Sequence, residues 1–361
     1  MTDAYRYFKA GWFVAGGLVV RRACVEVDES GRVASVGTVC PAGAVGFGDS
    51  TVLMPGLCNA HVHLLDYVAP ECGEGLGLEE LVSQPHGLKY RLLRERLSLF
   101  PSVASMTRLD AALAATYAEL SRVDLLGGGL GACRLLVYPQ PASKVEVEVL
   151  RVLRRYGRVG LDTVFDVAGF LDVFAAEAGR LGASVQVHVS ETSRLYGMRD
   201  YEYAAEIPGV IMVHCTYMPG EAVAEAAEEA GVVLCPSSNA MLVGRLPDVD
   251  ELLRAWRRGE ALRVGIGTDN AAWNEPSVAL ELHTAYLLLD GWRRRGLSGL
   301  LLYAATIGGH RVLGEAEAEL VAATHPAYMH TCDIVSSLVK RLASSRVAST
   351  GMRLSLEEYP R

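Results

Sequence analysis

The segment PGLCNAHVHLLD holds two histidines, His61 and His63, with one residue between them. In an extended strand alternate side chains share a face, so both imidazoles can reach one metal ion from a single strand end. Taken alone, the pair fits two polar residues at a strand end equally well. The balance shifts because His188 in QVHVSET, His214 in VHCTY and Asp269 in GIGTDN each follow a separate short apolar run, with Glu191 just past His188. Several imidazoles and one carboxylate suit one borderline divalent ion, Zn²⁺ first with Fe²⁺ or Mn²⁺ as alternatives, and leave a position for water. Water on such an ion has a pKa near neutrality, which supplies hydroxide for attack on an sp² carbon.

These residues need a scaffold that brings several strand ends together. RLLVYP around Arg134, SVQVHVS around Ser184, GVIMVHCT around Gly209, GVVLCPSS around Gly231 and LRVGIGTDN around Leu262 read as buried strands. Stretches rich in Ala, Glu and Leu separate them, which is the alternation of a parallel sheet with crossover helices. The first strand of this series is expected near Thr51 to Leu64, and the periodicity of Arg108 to Leu120 predicts a helix. Polar residues gather at the C-terminal ends of the strands, the face on which barrel active sites lie. The expected fold is therefore α/β, a (β/α)₈ TIM barrel over residues 51–315. A small β-sandwich-like module is expected from residues 1–50 and 316–361, where short alternating strands and turn residues recur.

Composition excludes several classes. A formal net charge of −8 over 361 residues, with no basic stripe, argues against nucleic acid as a partner. No uncharged apolar run reaches the ~18 residues of a membrane span, and the N-terminal segment lacks the pattern of a secretory signal, so no membrane partner and a cytoplasmic location are expected. The eight cysteines form no CxxC pair and read as small buried thiols.

PGLCNAHVHLLD, QVHVSET, VHCTY, VLCPSSNAML, GIGTDN and AATIGGHRVLG occur in one order along nearly the whole chain. In that order they resemble the amidohydrolase superfamily, in the branch of methylthioadenosine/S-adenosylhomocysteine, guanine and cytosine deaminases and triazine chlorohydrolases. The resemblance implies a mononuclear centre with His61, His63, His188 and Asp269 as ligands, and with Glu191, His214 and Asp269 as catalytic groups. It further implies hydrolytic deamination of a small aminated heterocycle (purine, pyrimidine or nucleoside-like) by metal-bound hydroxide. Homo-oligomers are common among such enzymes, and the resemblance admits one here. Glu191 points to deamination, since a carboxyl there can protonate a ring nitrogen and later pass a proton to departing ammonia.

The alternative is a cyclic-amide or chloro-heterocycle hydrolase, because the same attack serves other leaving groups. A binuclear site would need a bridging lysine after the fourth strand, and GLDTVFDVA around Asp162 offers none; Lys144 comes earlier. The zinc deaminase signature of HxE with a downstream PCxxC has no counterpart. A metal-binding barrel without activity is the non-enzymatic reading, set aside because all six polar positions are kept. His86 and Lys89 in PHGLKYRLL, and Asn270, Trp273 and Asn274 in TDNAAWNEP, are the candidate substrate contacts, on the loops where barrel enzymes bind substrate. His283, His310, His325 and His330 receive no role.

Overall fold

The computed structural model describes residues 6–83, 86–107, 109–126 and 130–359. Four strands open the chain: β1 (Arg6–Ala15), β2 (Leu18–Val27), β3 (Val33–Gly37) and β4 (Val45–Pro55). A Gly-Leu link leads directly into β5 (Cys58–His63). The predicted first strand from Thr51 is thus two strands, the end of β4 and then β5, turned at Gly56. A Cβ on Gly56 would lie 2.7 Å from the Ala112 side chain, so only glycine lets the chain pass there.

Next come β6 (Leu113–Glu119), β7 (Arg134–Gln140), β8 (Arg158–Leu161), β9 (Ser184–Val189), β10 (Val210–His214), β11 (Val232–Leu234), β12 (Val264–Ile266) and the two-residue β13 (Asp269–Asn270). The helix expected over Arg108 to Leu120 is corrected to β6, with Arg108 itself outside the described residues. Its alanines suit a helix, but the run LAATYA is buried on both faces between β5 and β7. An apolar run buried all round carries no periodicity to separate strand from helix, and tertiary packing decides.

The parallel strands form two hydrogen-bonded arcs, β13-β5-β6-β7 and β8-β9-β10-β11-β12. Strand β7 also runs beside β8, and β12 beside β5, so the ends of the two arcs adjoin. Cys58, Ala60, Ala115, Tyr138, Val213 and Val233, from five of these strands, pack into one small buried cluster. A much larger cluster lies under the helices and reaches the terminal sheet.

Strands β14 (Glu317–Thr324) and β15 (Arg346–Ser355) return to the first four and complete a six-stranded mixed sheet, ordered β15-β14-β4-β1-β2-β3. The expected sandwich-like packing of these segments is here one sheet, and β4 carries it to residue 55 instead of 50. One cysteine expectation also changes, since Cys24 and Cys40 are joined as a disulfide. Cys58, Cys133, Cys215 and Cys235 are buried free thiols, Cys72 is half-buried and Cys332 is exposed.

Candidate metal centre

The register of β5 against β6 slips between Asn59 and Val62. Such a bulge re-aims the residues that follow it. Below the slip Cys58 and Ala60 face the small core cluster; above it His61 and His63 stand 5.0 Å or less, ring to ring, from Tyr117 on β6. Tyr117 also stacks on His188 at 5.3 Å, and Gly160 on β8 makes room for it, because a Cβ there would lie 2.9 Å from its ring.

Asp269 on β13 sits in register with Val62, next to the histidine strand. Its Oδ1 lies 3.4 Å from Nε2 of both His61 and His63, and its Oδ2 accepts a hydrogen bond from Ser238 Oγ. Ser190, His214, Cys215 and Asp269 all take left-handed backbone conformations, with φ between 48° and 77°. Non-glycine residues held this way are strained and cluster at functional sites. Here they lie at the ends of β9 and β10 and at the start of β13, where the chain must turn while still presenting a side chain inward.

Two of the rings, those of His61 and His214, are held from behind. His61 Nδ1 is 3.0 Å from Gln186 Oε1, and Gln186 Nε2 donates to Ala60 O at 2.9 Å. The amide nitrogen is spent on the carbonyl, so its oxygen accepts from Nδ1–H and the Nε2 lone pair is left facing the centre. Asn239 Oδ1 holds His214 Nδ1 in the same way at 2.8 Å. Lys89 Nζ lies 3.2 Å from His63 Nδ1 and 2.7 Å from Asp66 Oδ2. Asp200 receives both the amide and the hydroxyl of Ser190 at 2.6 Å, fixing the turn that presents Glu191.

The donor set fits a divalent ion. His61, His63 and His188 bring ligand atoms within 4.8 Å of one another, as do His61, His214 and Asp269, and His188, Glu191 and His214. The Nε2 atoms of His61 and His188 are buried with no hydrogen-bond partner among the described residues, a costly state unless another ligand meets them. Burial, then the Lys89 charge, holds the His63 imidazole well below its ordinary pKa; burial, then His214, does the same for His188. Neutral imidazoles are the form that binds metal. Burial alone would raise Asp269, but the hydrogen bond from His61 and the electrostatic pull of the imidazoles around it hold its carboxyl well below the usual range, as a carboxylate ligand requires.

A cavity of ≈ 770 Å³ opens onto this centre, lined by His63, Lys89, His188, Glu191, His214 and Asp269, with apolar wall from Phe165, Leu195 and Met198. Glu191 Oε1 lies 3.9 Å from His214 Nε2, and burial pushes its carboxyl up despite that neighbour. The residues expected to carry chemistry are therefore together, and Lys89 joins them. His86 is exposed in a turn and does not line the cavity. Asn270, Trp273 and Asn274 also lie outside its lining, because their side chains brace their own loop: Asn270 Oδ1 accepts from Ala272 N, Trp273 Nε1 donates to Cys72 O, and Asn274 Nδ2 donates to Thr268 O. His283, His310 and His325 hydrogen-bond to backbone away from the centre.

Residues 162–334 match the amidohydrolase family. The chain is also similar to 5-methylthioadenosine/S-adenosylhomocysteine deaminase 2 of Archaeoglobus fulgidus, at 28% identity over 72% of this chain and 69% of the relative. It is similar to a 5′-deoxyadenosine deaminase of Methanopyrus kandleri at 26% identity, over 73% and 69%. Among solved structures, a zinc-bound adenosine deaminase of Xanthomonas campestris superposes with a TM-score of 0.64 at 19% identity, covering 98% of this chain and 93% of that one. At that identity the likeness establishes the amidohydrolase fold. No described helix is long and apolar enough to cross a membrane.

Proposed function

We propose that this protein hydrolytically deaminates an aminated heterocycle, on one zinc ion held by His61, His63, His188 and Asp269. The observation that carries the reading is the meeting of that donor set with Glu191 and His214 in one cavity. The names of the relatives support it, all three being deaminases. The same reading closes the eight strands β5 to β12 into a (β/α)₈ barrel within residues 56–315, with 1–55 and 316–361 as the flanking module.

When bound, a divalent ion here supplies Lewis acidity and a water acidified toward neutrality. The protein does the rest. Asp269, kept ionised, accepts the proton that the attacking water loses. Glu191, whose carboxyl stays protonated to higher pH because it is buried, donates to a ring nitrogen and can return a proton to the leaving amine. His214, fixed by Asn239, aims Nε2 into the cavity beside Glu191 and orients the water or polarises the attacked carbon. Lys89 is in place to meet a carbonyl or anionic edge of the substrate.

The test is ammonia release by zinc-loaded protein across adenosine, methylthioadenosine, S-adenosylhomocysteine, guanine and cytosine, with Glu191→Gln as blank. Turnover should fall roughly 10²–10⁴-fold in that variant while one equivalent of zinc is retained. Zinc at one equivalent with no ammonia from any compound, or a variant as active as the wild type, would overturn the reading.

A further inference from the structure

One wall of the cavity carries charged groups that deamination as described does not use. Lys144 follows β7, Asp162 follows β8, and Asp166 ends the short turn after it. Lys144 Nζ lies 2.8 Å from Asp166 Oδ2 and 3.3 Å from Asp162 Oδ2. Gln140, buried at the end of β7, donates from Nε2 to Asp162 Oδ1 at 2.6 Å, and the Asp162 amide donates to Asp166 Oδ2 at 3.1 Å. All three charged side chains remain partly open, with 29% of Lys144, 29% of Asp162 and 13% of Asp166 exposed. They share the cavity with His188, whose buried Nε2 has no partner among the described residues.

An inventory of donors and acceptors says what such a wall can bind. Lys144 has three N–H donors and spends two on the carboxylates. Asp166 Oδ1 has no hydrogen-bond partner among the described residues. The wall thus offers a charged donor beside charged acceptors, held by a buried amide. Two carboxylates repel an anion, and the ammonium between them repels a cation. A hydroxyl suits both, since it donates to a carboxylate and accepts from an ammonium. A pair of adjacent hydroxyls can use both carboxylates at once. Burial works against the Lys144 ammonium, but Asp162 and Asp166 outweigh it, so the donor stays charged.

We propose that Lys144, Asp162 and Asp166 form a specificity subsite that binds a neutral vicinal diol on the substrate, such as a furanose sugar carries. The proposal rests on the cavity being the substrate site, but not on the reaction performed there.

The experiment measures equilibrium binding of inosine and 2′,3′-dideoxyinosine to the zinc-loaded protein. Neither ligand carries an exocyclic amine, so neither is a substrate for deamination. Inosine should bind at least about tenfold tighter, as expected for hydroxyls bonded to charged groups. In Asp162→Asn and in Lys144→Gln the ratio should fall to about threefold or less, with both variants folded by circular dichroism. If the cluster only staples the loops after β7 and β8, either change weakens both ligands alike and the ratio survives. Parity in the wild type, no measurable binding of either compound, or an unchanged ratio in both variants overturns the proposal. A tenfold preference for inosine in protein that releases no ammonia from any amine would remove the deaminase reading and leave the diol subsite standing.

Discussion

Gln186 shows how much of the centre depends on a residue that cannot touch an ion. Its side chain makes two buried hydrogen bonds, one fixing its own orientation on Ala60 O and one fixing the His61 ring. Losing the second frees the ring to rotate and to take the wrong tautomer. Removal of such outer partners typically costs 10–100-fold in metal affinity. Gln186→Leu should therefore weaken zinc binding roughly 10–100-fold, read by competition with a chromophoric chelator. Unchanged affinity would mean that strand packing alone holds His61. The sequence contained the clue, because Gln186 and His188 alternate with three valines in β9 and so share the inward face. The ligands and Glu191 are legible because each ends an apolar run. The contacts of Asn239 with His214, and of Ser238 with Asp269, are not legible in the same way. They depend on how the turn after β11 folds beneath two other strands, and no spacing within one segment encodes that.

At the scale of elements, the helix Val278–Leu288 is fastened to the site from its own first turn. Asp110 caps it, accepting from Ser277 Oγ and from the Val278 and Ala279 amides at 2.7–2.9 Å. One turn further on, buried Glu281 accepts from the Ser237 amide at 2.9 Å and braces the segment that carries Ser238 and Asn239. Burial pushes its carboxyl up from 4.5 to about 7, against the pull of the Ser237 hydrogen bond. The folded state then holds this proton more tightly than the unfolded chain does. The resulting stability is full below about pH 4.5 and is lost as pH rises through about 7. Between pH 5 and pH 8 the wild type should lose about 2–3 kcal/mol relative to Glu281→Gln, measured by urea unfolding of both proteins at both pH values. Parallel pH profiles would show that Glu281 is ionised throughout. Elements of this kind are partly readable in advance. Strand β7 and strands β9 to β12 follow from bounded apolar runs. Strand β6 does not, because Leu113 to Ala118 are buried on every side and their alanines favour a helix when nothing else is known.

For the whole molecule, the sheet built from both ends of the chain bears directly on the site, since β4 leads through Gly56 into the strand of His61 and His63. Strand β14 pairs with β4 from Thr51 to Pro55, so the C-terminal segment covers what would otherwise be an open edge. The far side of this sheet carries the disulfide between Cys24, on β2, and Cys40, in the loop before β4. The bond closes a short loop with a sequence separation of 16. Chain entropy assigns a loop of that length about 3 kcal/mol of stabilisation. None of the metal donors lies in this sheet, and the nearest, His61, is separated from the disulfide by all of β4. Cys24→Ser/Cys40→Ser should therefore lower the unfolding free energy by about 3 kcal/mol while leaving zinc affinity within about twofold of wild type, as additivity of distant sites requires. A tenfold drop in zinc affinity at intact secondary structure would show instead that the terminal sheet sets the position of β5, and that the centre is strained into place from the outside.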